Sequence, residues 1–174
     1  MASFSERMIG AAKLDVHTYE EVEADTTAMG QSMGVVVLSS VAAGIGSGSG
    51  IVGLVVGSIA AMIGWFVWAY VTFLIGTKML PEAQTEADVG QLLRTTGFSA
   101  SPGLLRAFGV IPGLGMLAVG VANIWMLASM VVAVRQALDY ESTGRAIGVC
   151  LVGWLALVAI TMVLGVVSVG ALSV

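Results

Sequence analysis

The sequence predicts an all-α integral membrane protein, and three observations support this fold class. Hydrophobic residues make up 57% of the chain and charged residues only 10%, whereas about 25% of the residues of a soluble domain are charged. The mean hydropathy is +0.98. Charged residues are absent from three long runs, at 26–77, 107–134 and 146–174. Because lipid offers the backbone no hydrogen-bond partner, segments that cross it must be helical.

Residues 1–25 predict two short amphipathic helices that lie on the cytoplasmic membrane surface, ahead of a single transmembrane domain at 26–174. Phe4 and Met8 share the apolar face of the first helix, and Glu6, Arg7 and Lys13 face away. Asp15 is placed to cap the second helix, in which Val16, Tyr19 and Val22 share a side. We expect its acidic cluster to point to water; the cluster comprises Glu20, Glu21, Glu23 and Asp25.

The run from 26 to 77 divides at a Gly-Ser turn into two predicted spans, at 27–46 and 51–76. A bilayer core of about 30 Å takes about 20 helical residues, so each part is long enough. Gly48, Gly50 and Gly53 match the GxGxxG pattern of dinucleotide-binding loops. Such a loop needs an acidic residue about 20 positions later, and the first carboxylate after these glycines is Glu82. The glycines therefore predict a turn between antiparallel helices.

The stretch from 78 to 106 is polar, and its residues 89–97 predict another amphipathic helix on the membrane surface. The following uncharged run, 107–134, is broken by the sequence IPGLG at 111–115, and two topologies follow. If the run crosses once, the chain has four spans, with five basic residues inside and two outside. If a short segment at 102–112 and a full helix at 114–135 both cross, all seven basic residues lie inside, as the positive-inside rule favours.

We prefer the second topology, a five-segment helical bundle with a short third segment and a last span at 146–172. It places Ser47, Gly113 and Val174 outside the cell. Its difficulty is the third segment, because ten α-helical residues reach only about 15 Å. Four spans remain the alternative.

Several residues in the spans are candidates for helix packing or lipid contact. Small residues four positions apart let helix backbones approach closely in membranes; these candidates are Gly53, Gly57, Ala61, Ala118 and Ala122. Asn123 is a further candidate, because an amide inside the membrane needs a hydrogen-bond partner on another helix. Arg106 lies five residues into the short third segment. We expect its side chain to extend to the inner headgroups and to contact a lipid phosphate.

The sequence predicts no catalytic, cofactor-binding or metal-binding residues. The spans contain no Asp, Glu, His or Lys, the groups that mark proton and catalytic paths inside membranes. His17 is the only histidine and predicts a solvated helix face, and Cys150 is the only cysteine, so no internal disulfide forms. The basic residues are scattered, which excludes a nucleic-acid-binding stripe.

Three stretches resemble the bacterial branch of the YIP-domain family of integral membrane proteins: FSASPGLLRAFGVIPGLG at 98–115, IWMLASMVVAVRQAL at 124–138 and STGRA at 142–146. The resemblance implies five membrane segments and a cytoplasmic N-terminus. Eukaryotic relatives interact with Rab GTPases, but their signature Asp-Leu-Tyr-Gly-Pro is absent here. The resemblance therefore implies a prokaryotic plasma membrane and no Rab binding.

Two functional hypotheses follow from these features. The first is a non-enzymatic scaffold or accessory subunit of a membrane complex, with lipid and other membrane proteins or a second copy of the chain as partners. The second is a lipid or small-solute transporter, of a scramblase-like kind, in which Arg106 and Asn123 line a polar path.

Overall fold

The computed structural model describes the backbone of residues 2–172 and the side chains of residues 2–162; Val174 lies outside the described residues. All regular elements in the described part are helices. Their bounds are α1 Phe4–Ala12, α2 Val16–Ala24, α3 Met29–Gly46, α4 Gly50–Leu74, α5 Val89–Phe98, α6 Gly115–Ala137 and α7 Thr143–Leu172. A short 3-10 turn at Thr26–Ala28 leads into α3, a π-turn lies at Ile75–Met79, and the element called the 3-10 helix below is Ser101–Val110.

Four helical stretches are long and apolar enough to cross a membrane: Thr26–Gly46, Gly50–Met79, Gly115–Ala137 and Thr143–Met162. The predicted class, an all-α membrane protein, is confirmed. The turn between the first two stretches is also confirmed, since α3 ends at Gly46 and α4 begins at Gly50. Gly48 and Gly50 have φ angles of +67° and +66°, values that glycine adopts readily and other residues rarely do.

Helix α5 lies inside the bundle, and its predicted position on the membrane surface is wrong. All seven residues from Leu92 to Phe98 are buried. The chain then continues through two residues into the 3-10 helix, and the two elements together run parallel to α3. Along this contact Gly97 packs on Ser32, and Gly109 packs on Gly46. We call residues 89–110 the broken third segment.

The broken third segment is long enough to follow α3 from end to end. Ten α-helical residues rise about 15 Å, and ten 3-10 residues rise about 20 Å because each contributes about 2.0 Å. The predicted third segment contained only the second of these two parts. Its shortness came from assigning α5 to the surface.

The chain runs along the bundle five times. Helix α6 begins beside the end of the broken third segment, where Gly115 contacts Gly109, and α7 returns alongside α4, with Gly153 against Trp68. At one end of the bundle the charged loops 78–88 and 138–142 meet, as in the contact of Glu82 with the backbone N–H of Glu141. The turns at the other end, 47–49 and 111–114, contain no charged residue.

Helices α1 and α2 pack against the charged end of the bundle, mainly on α5, α6 and the 3-10 helix. Asp15 caps α2 by accepting a hydrogen bond from the backbone N–H of His17, as predicted. The centre of the pair's apolar face is buried, since Ala11, Tyr19 and Val22 join Val35, Phe98 and Ala133 in one core cluster, with Phe4 and Met8 partly buried against it. Val16 is exposed. The Tyr19 hydroxyl lies 2.6 Å from Ser129 Oγ and ties α2 to α6.

Candidate functional site

The backbone of Arg106 packs beside Gly46, the last residue of α3, and its half-buried side chain runs back along α3 to mid-bundle. Its Nη2 donates to the carbonyl oxygen of Ser39 at 2.9 Å and to its Oγ at 2.7 Å, and its Nε donates to the carbonyl oxygen of Gly103 at 3.2 Å. Ser39 is near the midpoint of α3. The Arg106 guanidinium thus points to mid-height of α3 and not to the charged end of the bundle, and its contact with a lipid phosphate stays a prediction.

The Arg106 guanidinium has no acidic partner in the part of the chain that the structure describes. The sequence explains why, since the runs that form the long helices contain no Asp or Glu. A guanidinium carries five N–H donors, and the contacts above occupy the Nε and Nη2 hydrogens. Nη1 makes no hydrogen bond to the described residues. The result is a positive charge at mid-bundle whose two Nη1 hydrogens have no acceptor among the described residues.

A cavity of about 370 Å³ adjoins this charge, between α3, α4, α6, α7 and the broken third segment. Its polar side is formed by Arg106 with Ser39, Ser40 and Thr96. The rest of the wall is mostly apolar and includes Trp65, Trp68, Met126, Met130 and Leu157. Both indoles are held in place, since Trp65 Nε1 donates to Thr96 Oγ1 at 3.2 Å and Trp68 Nε1 lies 3.2 Å from Met130 Sδ.

The predicted packing residues fall into two groups in the structure. Ala122 is fully buried in α6, and Ala61 and Ala118 are half-buried. In contrast, a side chain at Gly57 would meet nothing within 4 Å, and one at Gly53 would meet only Ser49 of its own helix turn. Asn123 is exposed on α6. Gly57 and Asn123 thus do not join helices within the chain, and their role between copies of the chain stays a prediction.

The closest helix contact uses small residues that the predicted packing set omits. On α3 they are seven residues apart, Ser32, Ser39 and Gly46, and on the broken third segment they are six apart, Gly97, Gly103 and Gly109. Seven residues are about two α-helical turns, and six are two turns of a 3-10 helix. Gly103 and Gly109 therefore share one face of the 3-10 helix, and Gly97 continues this face at the end of α5. The pattern is visible in the sequence.

Arg7 is buried at the charged end, with only 2% of its surface exposed. Its Nη2 donates to Glu21 at 2.9 Å and to Asp25 at 2.7 Å, and its Nη1 donates to Gln31 at 2.9 Å. Hydrogen bonds from Thr27, and then from Arg7, lower the pKa of Asp25 to about 2. The predicted outward orientation of Arg7 is wrong, and Asp25 is also turned inward, with 9% of its side chain exposed, whereas Glu21 is 35% exposed.

Arg94 fastens α2 to α5 at the same end of the bundle. It is 6% exposed, and its Nε donates to the carbonyl oxygens of Val22 at 3.1 Å and Glu23 at 3.0 Å; its Nη2 also donates to the Glu23 carbonyl. These carbonyls close the C-terminal turn of α2, where carbonyl oxygens have no partner within the helix. Arg7 and Arg94 together fix the N-terminal helices on the bundle.

Glu23 makes the stability of this end depend on pH. Burial, and next the charge of Asp139, raise its pKa to about 7, against an opposing effect of Arg94 and with smaller contributions from Glu20 and Asp88. Between about pH 4.5 and 7 the folded chain holds a proton that the unfolded chain has lost, so stability falls as the pH rises through this range. We expect Glu23→Gln to raise the unfolding temperature in detergent clearly more at pH 8 than at pH 5.

Glu20→Gln changes an exposed carboxylate of the same helix and serves as the control, with a much smaller pH-dependent difference expected. An equal gain for Glu23→Gln at both pH values would contradict the assignment of this pH dependence to Glu23.

The remaining candidates for chemistry are isolated from one another. His17 is exposed, with its Nδ1 3.5 Å from Glu20. Among the described residues, no three His, Cys, Asp or Glu side chains are grouped so that they could hold a metal ion. Cys150 is half-buried and packs against the hydrophobic core.

Comparison with known protein families matches residues 24–164 to the Yip1 domain. The match covers every helix from α3 to α6 and most of α7, including the 3-10 helix that carries Arg106. The curated proteins and the solved structures that were compared with the chain yielded no match. The resemblance noted in the sequence is thereby confirmed, and the chain belongs to the Yip1 domain family.

Proposed function

We propose that this Yip1-domain protein is a non-enzymatic scaffold or accessory subunit of a membrane complex. The observation that carries the proposal is the rigid construction of the charged end. Arg7 and Arg94 fix the N-terminal helices, and Glu82 holds the two charged loops together through its contacts with Arg145 and the Glu141 N–H. Such a surface is already ordered before a partner arrives, which lowers the cost of binding.

The docking surface comprises residues 1–25, 78–88 and 135–145. A polar cleft of about 540 Å³ lies within it and is bordered by Glu20, Asp139 and Glu141, with Arg135 as the one basic residue. This excess of acidic side chains suits a basic segment of a partner protein. Because the basic residues of the loops concentrate at this end, we place it in the cytoplasm and the protein in a prokaryotic plasma membrane.

Purification from native membranes in mild detergent, followed by mass spectrometry, tests the scaffold proposal. We expect a reproducible partner protein to accompany the chain and to be lost from the Glu20→Lys/Glu141→Lys variant. Glu86→Lys, an exposed change outside the cleft, should retain the partner. Recovery of a lone monomer in every detergent tried would contradict the proposal.

The cavity beside Arg106 favours a second candidate function, transport of lipid or a small solute. Ionisable groups inside a membrane bundle commonly mark such paths. In reconstituted vesicles this function requires a rate of lipid scrambling or solute flux above that of empty vesicles. The Arg106→Ala variant should reduce this rate to that of empty vesicles. Rates equal to those of empty vesicles would remove this candidate.

A further inference from the structure

We propose that Arg106 and Ser39 bind the phosphate of an anionic phospholipid whose acyl part occupies the adjoining cavity. The proposal concerns the site on which the transport candidate rests, but it requires only binding. A bound lipid is either a permanent part of the bundle or a transported substrate, and the chemistry that binds it is the same in both cases.

The first argument is the charge. A guanidinium remains protonated in proteins, and a charge at this depth is costly unless it is paired. Arg106 contacts only neutral oxygens, those of Ser39 and Gly103. An anion that enters the cavity supplies the missing negative charge.

The second argument is the set of free donors. Both Nη1 hydrogens of Arg106 lack an acceptor among the described residues. Ser39 Oγ accepts a hydrogen bond from Arg106, and its own hydroxyl hydrogen makes no hydrogen bond to the part of the chain described. Ser39 is only 2% exposed, so its hydroxyl is directed within the bundle, and the half-buried Arg106 lines the cavity beside it. A guanidinium fork beside a hydroxyl matches the several oxygens of a phosphate.

The third argument is the wall of the cavity. Opposite the polar side it is formed by indole, thioether and aliphatic groups, including Trp68, Met126 and Leu157. A volume of about 370 Å³ falls in the range of small-molecule sites, about 300–1,000 Å³. An apolar wall next to one cation suits a ligand with an anionic head and a hydrocarbon body. Free phosphate lacks the second part.

Gly64 offers a way to close the cavity without touching Arg106. It lines the cavity, and a side chain built on it would meet nothing within 4 Å. Gly64→Leu therefore fills the space from α4. Gly57→Leu is the matched control, because Gly57 lies on the same helix, also faces open space and does not line the cavity.

The experiment measures lipid retained by the full-length, delipidated protein in native mass spectrometry, with phosphatidylglycerol, phosphatidylcholine and inorganic phosphate as separate probes. We expect one phosphatidylglycerol molecule to bind. Arg106→Gln removes the charged hydrogen bonds and Gly64→Leu removes the volume of the site, so each variant should weaken the affinity for this lipid at least about tenfold. Gly57→Leu should bind like the unmodified chain. Gly64→Leu decides the test if Arg106→Gln fails to fold.

Three results would overturn the proposal: retention of phosphatidylglycerol by Gly64→Leu at the unmodified level, equal binding of phosphatidylcholine, or inorganic phosphate that competes as well as the lipid does. The scaffold proposal is tested separately, because Gly64→Leu leaves the charged end unchanged and should still recover its protein partner. A lipid bound without measurable flux in vesicles would remove the transport candidate and leave this proposal intact.

Discussion

Gly46→Ala is expected to disrupt the contact between α3 and the broken third segment and to lower the free energy of unfolding by about 3 kcal/mol, the upper part of the range for overpacking. A Cβ at Gly46 would lie 1.9 Å from the carbonyl oxygen of Arg106 and 3.3 Å from the Cα of Gly109. Both are backbone atoms, so no side-chain rotation relieves the clash. The two elements must move apart along their tightest contact.

Thermal unfolding in detergent measures this effect, with a drop of roughly 6–12 °C expected from the usual relation for chains of this size. Gly57→Ala is the matched control, since its Cβ would meet nothing within 4 Å and alanine favours a helix over glycine by about 1 kcal/mol. We expect it to be neutral or slightly stabilising. Similar unfolding temperatures for the two alanine variants would show that α3 and the third segment are not in close contact.

Arg94→Gln is expected to release α2 from α5 and to destabilise the protein by about 3 kcal/mol. The change removes three hydrogen bonds from a charged donor, each worth about 1.5–3 kcal/mol before compensation by water. It also leaves the carbonyls of Val22 and Glu23 without their partner at a buried position. Because a lysine is a point charge without a planar fork, we expect Arg94→Lys to restore only part of the loss.

Limited proteolysis of the purified protein distinguishes local release from general unfolding. Arg94→Gln should become sensitive between α1 and α3 while α4 to α7 stay protected. Arg145→Gln, which removes the ion pair between an exposed guanidinium and Glu82, should cost less than about 1 kcal/mol and leave the pattern unchanged. An Arg94→Gln protein with unaltered stability and cleavage would mean that α2 is held without these hydrogen bonds.

The four long helices could be predicted because each carries its own signal, an uncharged run of sufficient length. The turn at Gly48 and Gly50 is equally local. Helix α5 could not be read in this way. Its amphipathic pattern, with Arg94 among apolar residues, is the same whether the polar side faces water or the carbonyls of Val22 and Glu23, and only the tertiary structure decides between these environments.

The candidate site shows the same division. Arg106 stands out in the sequence as the cation inside the predicted third segment, but its position beside Ser39 depends on α5 lying within the bundle. A count that starts the third segment at 102 omits the ten residues of α5, about 15 Å of helix, and so places Arg106 too near the inner surface. The serine and glycine periods on α3 and the third segment do record this contact. These periods can be recognised when the third segment is treated as a 3-10 helix with three residues per turn. The four-residue spacing that singles out Gly53, Gly57 and Ala61 does not contain them.

The central claim is that the broken third segment carries the chain across the membrane, so that α6 begins at the same side as the turn after α3. Single cysteines in a Cys150→Ala background test it with an impermeant maleimide on intact cells. Ser47→Cys and Leu114→Cys, both exposed at the uncharged end, should react in intact cells. Gln84→Cys and Ser142→Cys, at the charged end, should react only after permeabilisation. Labelling of Leu114→Cys only after permeabilisation, with Ser47→Cys labelled in intact cells, would contradict the claim and leave four spans.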